Sequence, residues 1–231
     1  MIITIDGPAG SGKSTAARKL AARLELPYLD TGAMYRALAR AAMQAGVDLN
    51  DANELVRVAH ETRLDVDCGP THTRVRINGH DVSEAIRTMA VNQATMFVAR
   101  EQRIRDLLVE RQRQIGSQLG SFVTEGRDQG SVVFPEADVK FVLEADPERR
   151  AQRRYQELLA DGEEADYVTV LRNLIQRDSN DSKQWAALLA PGEAIRIDTS
   201  RMSIAAVVER LIAHIRQIAP PGSVPTPDEV R

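Results

Sequence analysis

The sequence predicts an α/β fold built around a parallel, doubly wound sheet, and three observations carry that expectation. Short apolar runs alternate along the chain with segments of helical period, the order that a sheet covered on both faces requires. The first apolar run leads directly into a glycine-rich loop and then a helix. Between about residues 63 and 83 the period changes from helical to alternating, which marks a small antiparallel sheet set into the larger fold.

The elements follow in order. Ile2, Ile3 and Ile5 form a nearly continuous apolar run, as a strand buried on both faces does. Ala17, Leu20, Ala21 and Leu24 then put one apolar stripe against the sheet. Residues 26–29 read as a second strand, and Met34, Leu38, Ala41, Ala42 and Ala45 as a second helix closed by Gly46. Leu64, Val66 and Cys68 alternate, Gly69-Pro70 interrupts, and Val75 and Ile77 alternate again before Asn78-Gly79, a pair suited to a type I′ hairpin turn. Helices are expected over about 83–98 and 100–115. Phe122-Val123-Thr124 and the run Val139 to Leu143 read as buried strands, residues 194–197 as a fifth strand, and Ile204, Val207, Val208, Leu211, Ile212 and Ile215 as a final amphipathic helix. The division that follows is a core over 1–60 and 100–217, an insert over 61–99, and a proline-rich tail over 218–231 that is expected to be disordered.

With 231 residues, 43% of them hydrophobic and 27% charged, the chain has enough apolar material to order most of its length, which excludes global disorder. A net charge of −3 provides no general attraction for a polyanion, so no nucleic-acid partner is expected. The arginines at 100, 103, 105, 111 and 113 are interleaved with Glu101, Asp106 and Glu110, the pattern of a solvated helix face. Cys68 is the one cysteine, so an internal disulfide and a CxxC motif are both excluded. The apolar run at Met1 to Ile5 meets Asp6 at once, too short for a signal segment or a membrane span. A monomer in the reducing cytoplasm, with no membrane contact, is expected.

Gly7-Pro8-Ala9-Gly10-Ser11-Gly12-Lys13-Ser14 matches G-x-x-x-x-G-K-[ST] in full and sits between a predicted strand and a predicted helix. Glycines let such a loop curl its N–H groups around phosphate oxygens, and the helix N-terminus at Ser14 and Thr15 adds a favourable dipole. Lys13 is expected to face an open, solvent-filled loop and reach the β- and γ-phosphates of a nucleotide, with the Ser14 hydroxyl on Mg²⁺. A phosphate loop serves kinases, switch GTPases and motor ATPases alike. The chain has no Asn-Lys-x-Asp run to read guanine, and its strand at 139–143 continues as Glu144-Ala145-Asp146 rather than into paired acids. Asp30-Thr31-Gly32-Ala33-Met34-Tyr35-Arg36 follows the second strand, where a helix N-terminus is placed to hold a second phosphate. Taken alone, Thr31 reads equally as an N-cap and Arg36 as a surface residue. Glu125-Gly126-Arg127-Asp128-Gln129-Gly130 falls at the carboxyl edge of a buried strand, where open α/β sheets bind ligands, although a salt-bridged loop has the same composition.

Taken together these segments resemble the bacterial cytidylate kinases, a branch of the nucleoside monophosphate kinases. The resemblance runs from Ile3-Thr4-Ile5-Asp6-Gly7-Pro8 through the 30–36 segment, residues 78–88, Gly126 to Pro135 and Arg177-Asp178 to Ile197-Asp198-Thr199-Ser200. It implies a P-loop NTPase fold with five parallel strands, a nucleoside-monophosphate-binding insert, and a helical lid over about 147–190. It also implies transfer of the γ-phosphate from ATP, with Mg²⁺, to CMP or dCMP. Thr31, Tyr35 and Arg36 would then lie near the acceptor, Arg36 on its phosphate. Arg105 and Asp128 would read cytosine, and Asp181 would hold the ribose. Arg127, Arg153 and Arg177 would join Lys13 around the transferred group. The chain departs from the family at Gln184, where an arginine is usual, and weaker acceptor binding is expected from that. A kinase of another small acceptor such as UMP, or a nucleotide-binding regulator without turnover, stands as the alternative.

Overall fold

The structure is a computed structural model that describes residues 1–160, 162, 164–190 and 192–218, with the backbone alone at 177 and 179–186. Five parallel strands form the central sheet: β1 (Ile2–Asp6), β2 (Tyr28–Asp30), β6 (Phe122–Glu125), β7 (Val139–Glu144) and β8 (Ile195–Asp198), in the order β2-β6-β1-β7-β8. Every apolar residue of β1 from Ile3 onward is fully buried, which accounts for its unbroken apolar pattern. One face is covered by α1 (Lys13–Leu24) and α8 (Ile204–Ile218), through Leu20, Leu211 and Ile215. The other is covered by α2 (Thr31–Ala45), α3 (Ala52–Glu61), α4 (Met89–Arg100) and α5 (Gln102–Leu119), around Met34, Ile104, Leu108 and the edge-to-face pair Phe122–Phe134.

The antiparallel insert is present as β3 (Leu64–Cys68), β4 (Thr73–Ile77) and β5 (His80–Asp81), a three-stranded sheet. Asn78 and Gly79, with φ of 50° and 85°, form the tight reversal that the Asn-Gly pair predicts. The insert packs on the main core, since Leu64, Val75 and Ile77 share the cluster that holds α2.

Two boundaries and one whole helix differ from expectation. The second strand is Tyr28–Asp30 rather than 26–29, because Leu26 turns back to donate its N–H to Ala21 at 3.0 Å. The helix expected from 83 begins at Met89: residues 85–87 form a 3₁₀ turn that buries Ile86, and Thr88 caps α4 through the Val91 N–H. Helix α3 has no counterpart in the sequence reading. It is short, and it is started by the Asp51 carboxylate accepting from Asn53 and Glu54, with Leu55, Val58 and Ala59 as its buried stripe. Beyond Asp146 the arginine-rich helix α6 (Pro147–Ala160) and α7 (Tyr167–Trp185) meet through Ala151, Leu158, Val170 and Leu174. The tail expected to be disordered lies outside the described residues from 219 onward.

Candidate active site

Strand register decides which side chains meet. Ile5 pairs with Glu125, Asp30 with Glu125, and Asp6 with Val142, so the last residues of β1, β2 and β6 end at one carboxyl edge. The loop from Gly7 to Gly12 rises from that edge. Gly7, Gly10 and Gly12 take φ of 141°, 74° and 87°. A Cβ on Gly7 would come 2.2 Å from the Leu143 carbonyl oxygen, so no other residue passes β7 here. Gly12 occupies the N-cap position of α1 without a side-chain cap, and the first α1 turn closes only with Ala16 N–H on Gly12 O at 2.9 Å. Helix starts leave their first N–H groups without intrahelical partners, and α1 begins at Gly12 without a side-chain cap, the arrangement that receives phosphate. The expected open setting of Lys13 is corrected: it is 5% exposed, and its Nζ donates to Pro8 O at 3.0 Å, because the loop curls over its own lysine. Ser14 Oγ donates to Glu125 Oε1 at 2.9 Å.

Opposite the loop, Asp30 rather than Thr31 caps α2, accepting from Ala33 N at 2.8 Å. The Thr31 hydroxyl donates instead to Glu125 O at 2.7 Å, which ties α2 to β6. Arg36 donates to both Asp30 oxygens at 3.1 and 3.2 Å, and Arg87 approaches the same carboxylate at 3.7 Å. Two guanidinium groups thus converge on one buried carboxylate, with the Arg36 Nε buried and without a partner among the described residues. The surplus positive charge at a helix start suits a second anion.

Asp128, 6% exposed, forms an ion pair with Arg105 of α5. Burial raises the Asp128 carboxyl above the usual carboxylate range, and Arg105 counters that rise. Tyr35 lies within electrostatic reach of both, and burial pushes its phenol upward. Two other α5 arginines stay at exposed positions: Arg113 donates to the carbonyls of Val132 and Val133 at 2.7 and 3.0 Å, and Arg103 pairs with Glu101 at 2.7 Å. The solvated face expected from interleaved charges holds at Arg103, which is half exposed, and not at Arg105.

Helix α6 contacts the loop through its arginines. Arg153 donates to Thr199 O at 2.6 Å, with longer contacts to the carbonyls of Gly10 and Ser11. Arg150 is more deeply engaged: at 3% exposure it donates to Ala9 O at 3.0 Å and Ala145 O at 2.9 Å and pairs with Asp178 of α7. Arg127 follows Gly126 and donates to its carbonyl at 3.3 Å. The side chains of Arg177, Asp181 and Gln184 lie outside the described residues. Sequence reasoning assigned no role to Asp6, Glu125, Arg87 or Arg150. Glu125 carried a signal, since it ends a buried apolar strand directly before Gly126-Arg127-Asp128; Arg150 carried none, because its contacts at Ala9 come from 141 positions away.

A glycine phosphate loop at the carboxyl edge of this sheet, faced by a cationic helix start and roofed by arginine-bearing helices, defines the chain as a P-loop kinase. More particularly, the chain belongs to the cytidylate kinase family, whose sequence model matches residues 3–217. It is 42% identical over 216 residues to the cytidylate kinase of Anoxybacillus flavithermus, spanning 93% of this chain and 96% of that one. To the cytidylate kinase of Pelotomaculum thermopropionicum it is 44% identical over 215 residues, 92% and 95% of the two chains. A solved shikimate kinase from Bacteroides thetaiotaomicron, 14% identical with a TM-score of 0.50, covers 94% of this chain and 98% of its own and shares the fold alone. Among the described residues no helix is long and apolar enough to cross a membrane.

Proposed function

We propose that this chain transfers the γ-phosphate of ATP to CMP or dCMP, giving CDP or dCDP and ADP, as a monomer in the cytoplasm. The observation that supports the acceptor most directly is the buried Arg105–Asp128 pair beside Tyr35, at the same sheet edge as the phosphate loop. A carboxylate and a guanidinium held side by side offer an acceptor and donors to a base edge, the complement of cytosine's amino group, ring nitrogen and carbonyl. In this reading ATP phosphates lie in the loop from Gly7 to Thr15, with Lys13 on the β- and γ-phosphates. The acceptor phosphate lies on Arg36, with Arg87 adding charge, while Thr31 and Tyr35 shape its pocket and Asp181 holds the ribose. Residues 61–99 serve as the acceptor-binding insert and 147–190 as the lid.

Phosphoryl transfer asks for alignment and charge neutralisation more than covalent work. Lys13, Arg127, Arg153 and Arg177 are the groups assigned to the charge of the migrating phosphoryl, and no side chain acts as a nucleophile. The oxygen ligands at the loop fit a hard cation: the Ser14 hydroxyl would hold Mg²⁺ with the nucleotide, oriented by Glu125. Bound there, the ion would neutralise charge between the β- and γ-phosphates.

Release of ADP measured across CMP, dCMP, UMP, AMP and shikimate tests the assignment. Turnover confined to CMP and dCMP supports it. Preferred turnover of UMP or shikimate replaces the acceptor, and absence of any turnover points to a regulator instead.

A further inference from the structure

The segment that carries Asp128 is a π-helical turn over Gln129–Val133, and its first N–H groups need acceptors like those of any helix start. Asp128 stands at the N-cap position yet makes no side-chain cap. The acceptor comes instead from the neighbouring strand: Asp6, fully buried at the end of β1, accepts from Gln129 N at 2.9 Å through Oδ1 and from Gly130 N at 2.7 Å through Oδ2. Gly130 makes the approach possible, because a Cβ there would lie 2.8 Å from Thr4 Oγ1 and 3.3 Å from the Lys140 side chain. The turn is held from α5 as well, where Gln112 Oε1 accepts from Gln129 Nε2 at 3.0 Å, and Gln129 Oε1 in turn accepts from Thr124 Oγ1 at 3.0 Å.

We propose that Asp6 is the positioning residue for acceptor recognition: by capping the 129–133 turn in place of Asp128, it leaves the Asp128 carboxylate to Arg105 and the acceptor base. The inference rests on the reading of Asp128 as a base contact. Asp6 is also the residue before Gly7, so one buried side chain fixes the distance between the donor loop and the group that reads the acceptor. Beyond its own residues the phosphate loop bonds to Glu125, Arg150, Arg153 and Thr199, and among the described hydrogen bonds none joins it to Gln129 or Gly130. Loss of the cap therefore falls on the acceptor and spares the nucleotide in the loop.

The test is Asp6→Asn, whose amide keeps the shape but turns an N–H₂ toward one of the two N–H donors. In steady-state kinetics the KM for CMP rises about tenfold or more, the KM for ATP stays within about twofold, and the preference for CMP over UMP narrows. Asp128→Ala narrows the same preference, and the double variant narrows it no further. Gln112→Met, which withdraws the α5 anchor without touching β1, gives the same CMP-selective change in smaller measure and keeps the test open if Asp6→Asn does not fold. Equal rises in both KM values, or an unchanged CMP preference in a folded Asp6→Asn or in Gln112→Met, overturn the proposal. If wild-type protein has no CMP preference, the reading of the acceptor falls and this inference with it; if Asp128→Ala loses the preference while both positioning variants keep it, only this inference falls.

Discussion

At the residue scale the site is built from charged groups held out of water by the loop and strands around them. Lys13 is buried yet lies on a loop carbonyl rather than in an apolar core, so its loss removes charge without opening a cavity among packed side chains. Lys13→Ala is expected to keep the fold, by circular dichroism and thermal melting, and to retain less than a tenth of the phosphoryl-transfer rate. Asp6 makes a second prediction. Burial pushes its carboxyl from an ordinary 3.8 up to about 7, with Asp128 reinforcing that rise and Lys13 and two backbone N–H groups opposing it. Between those values the folded chain holds a proton that the unfolded chain has released. This contribution to stability is therefore complete below about pH 4 and is lost as pH rises through 7. Urea denaturation of the wild type should lose roughly 2–3 kcal/mol from this group between pH 5 and 8, at about 1.4 kcal/mol per pKa unit. Asp6→Asn should lack that part of the slope, and equal slopes in the two proteins would refute the assignment.

At the element scale the sequence pattern was readable wherever one face of a helix or strand meets one core. Strand β1, helix α1 and the Asn-Gly hairpin depend on neighbours within a few residues, so local chemistry suffices. Helix α4 was misplaced at its start because the apolar Ile86 belongs to a 3₁₀ turn, and a single buried residue does not distinguish the two conformations. Helix α5 shows what packing adds. Gly116 faces the Phe122–Phe134 pair, and a Cβ there would lie 2.7 Å from a Phe134 ring carbon and 2.9 Å from Phe122. Both rings are buried, so neither moves freely. Gly116→Ala would gain up to ~1 kcal/mol of helix propensity, against an overpacking cost of typically ~1–3 kcal/mol. A net loss is expected, read as a melting temperature lower by a few degrees, at about 2–4 °C per kcal/mol. A higher melting temperature would show that the rings have room to retreat.

At the scale of the whole molecule, the proposed transfer requires α6 and α7 to meet the loop and the acceptor together. Arg150 and Arg153 fasten α6 to the carbonyls of Ala9 and Thr199, and Asp178 links α7 to Arg150. The same helix carries Gln184, where the family resemblance leads to the expectation of an arginine. An amide offers one N–H₂ group and no charge to an anionic acceptor. Gln184→Arg is accordingly expected to lower the KM for CMP severalfold and leave the KM for ATP unchanged. An unaltered KM for CMP would place the compensating charge on another residue.

By itself the sequence determined the phosphate loop, the helix start at Thr31 and the buried strand leading to Gly126-Arg127-Asp128. Each is a run of about ten residues or fewer whose chemistry follows from glycine conformations, helix ends and strand edges. Sequence similarity carried the roles proposed for Arg36, Arg105 and Asp128, which no spacing along the chain reveals. Only the tertiary structure decided that Lys13 is buried, that Arg150 clamps the loop, and that Asp6 caps a turn 123 positions away. The physical reason is that a buried polar group must find a partner wherever the fold brings one. For Asp6 and Arg150 that partner comes from the register and packing of separate strands and helices, which no local pattern encodes.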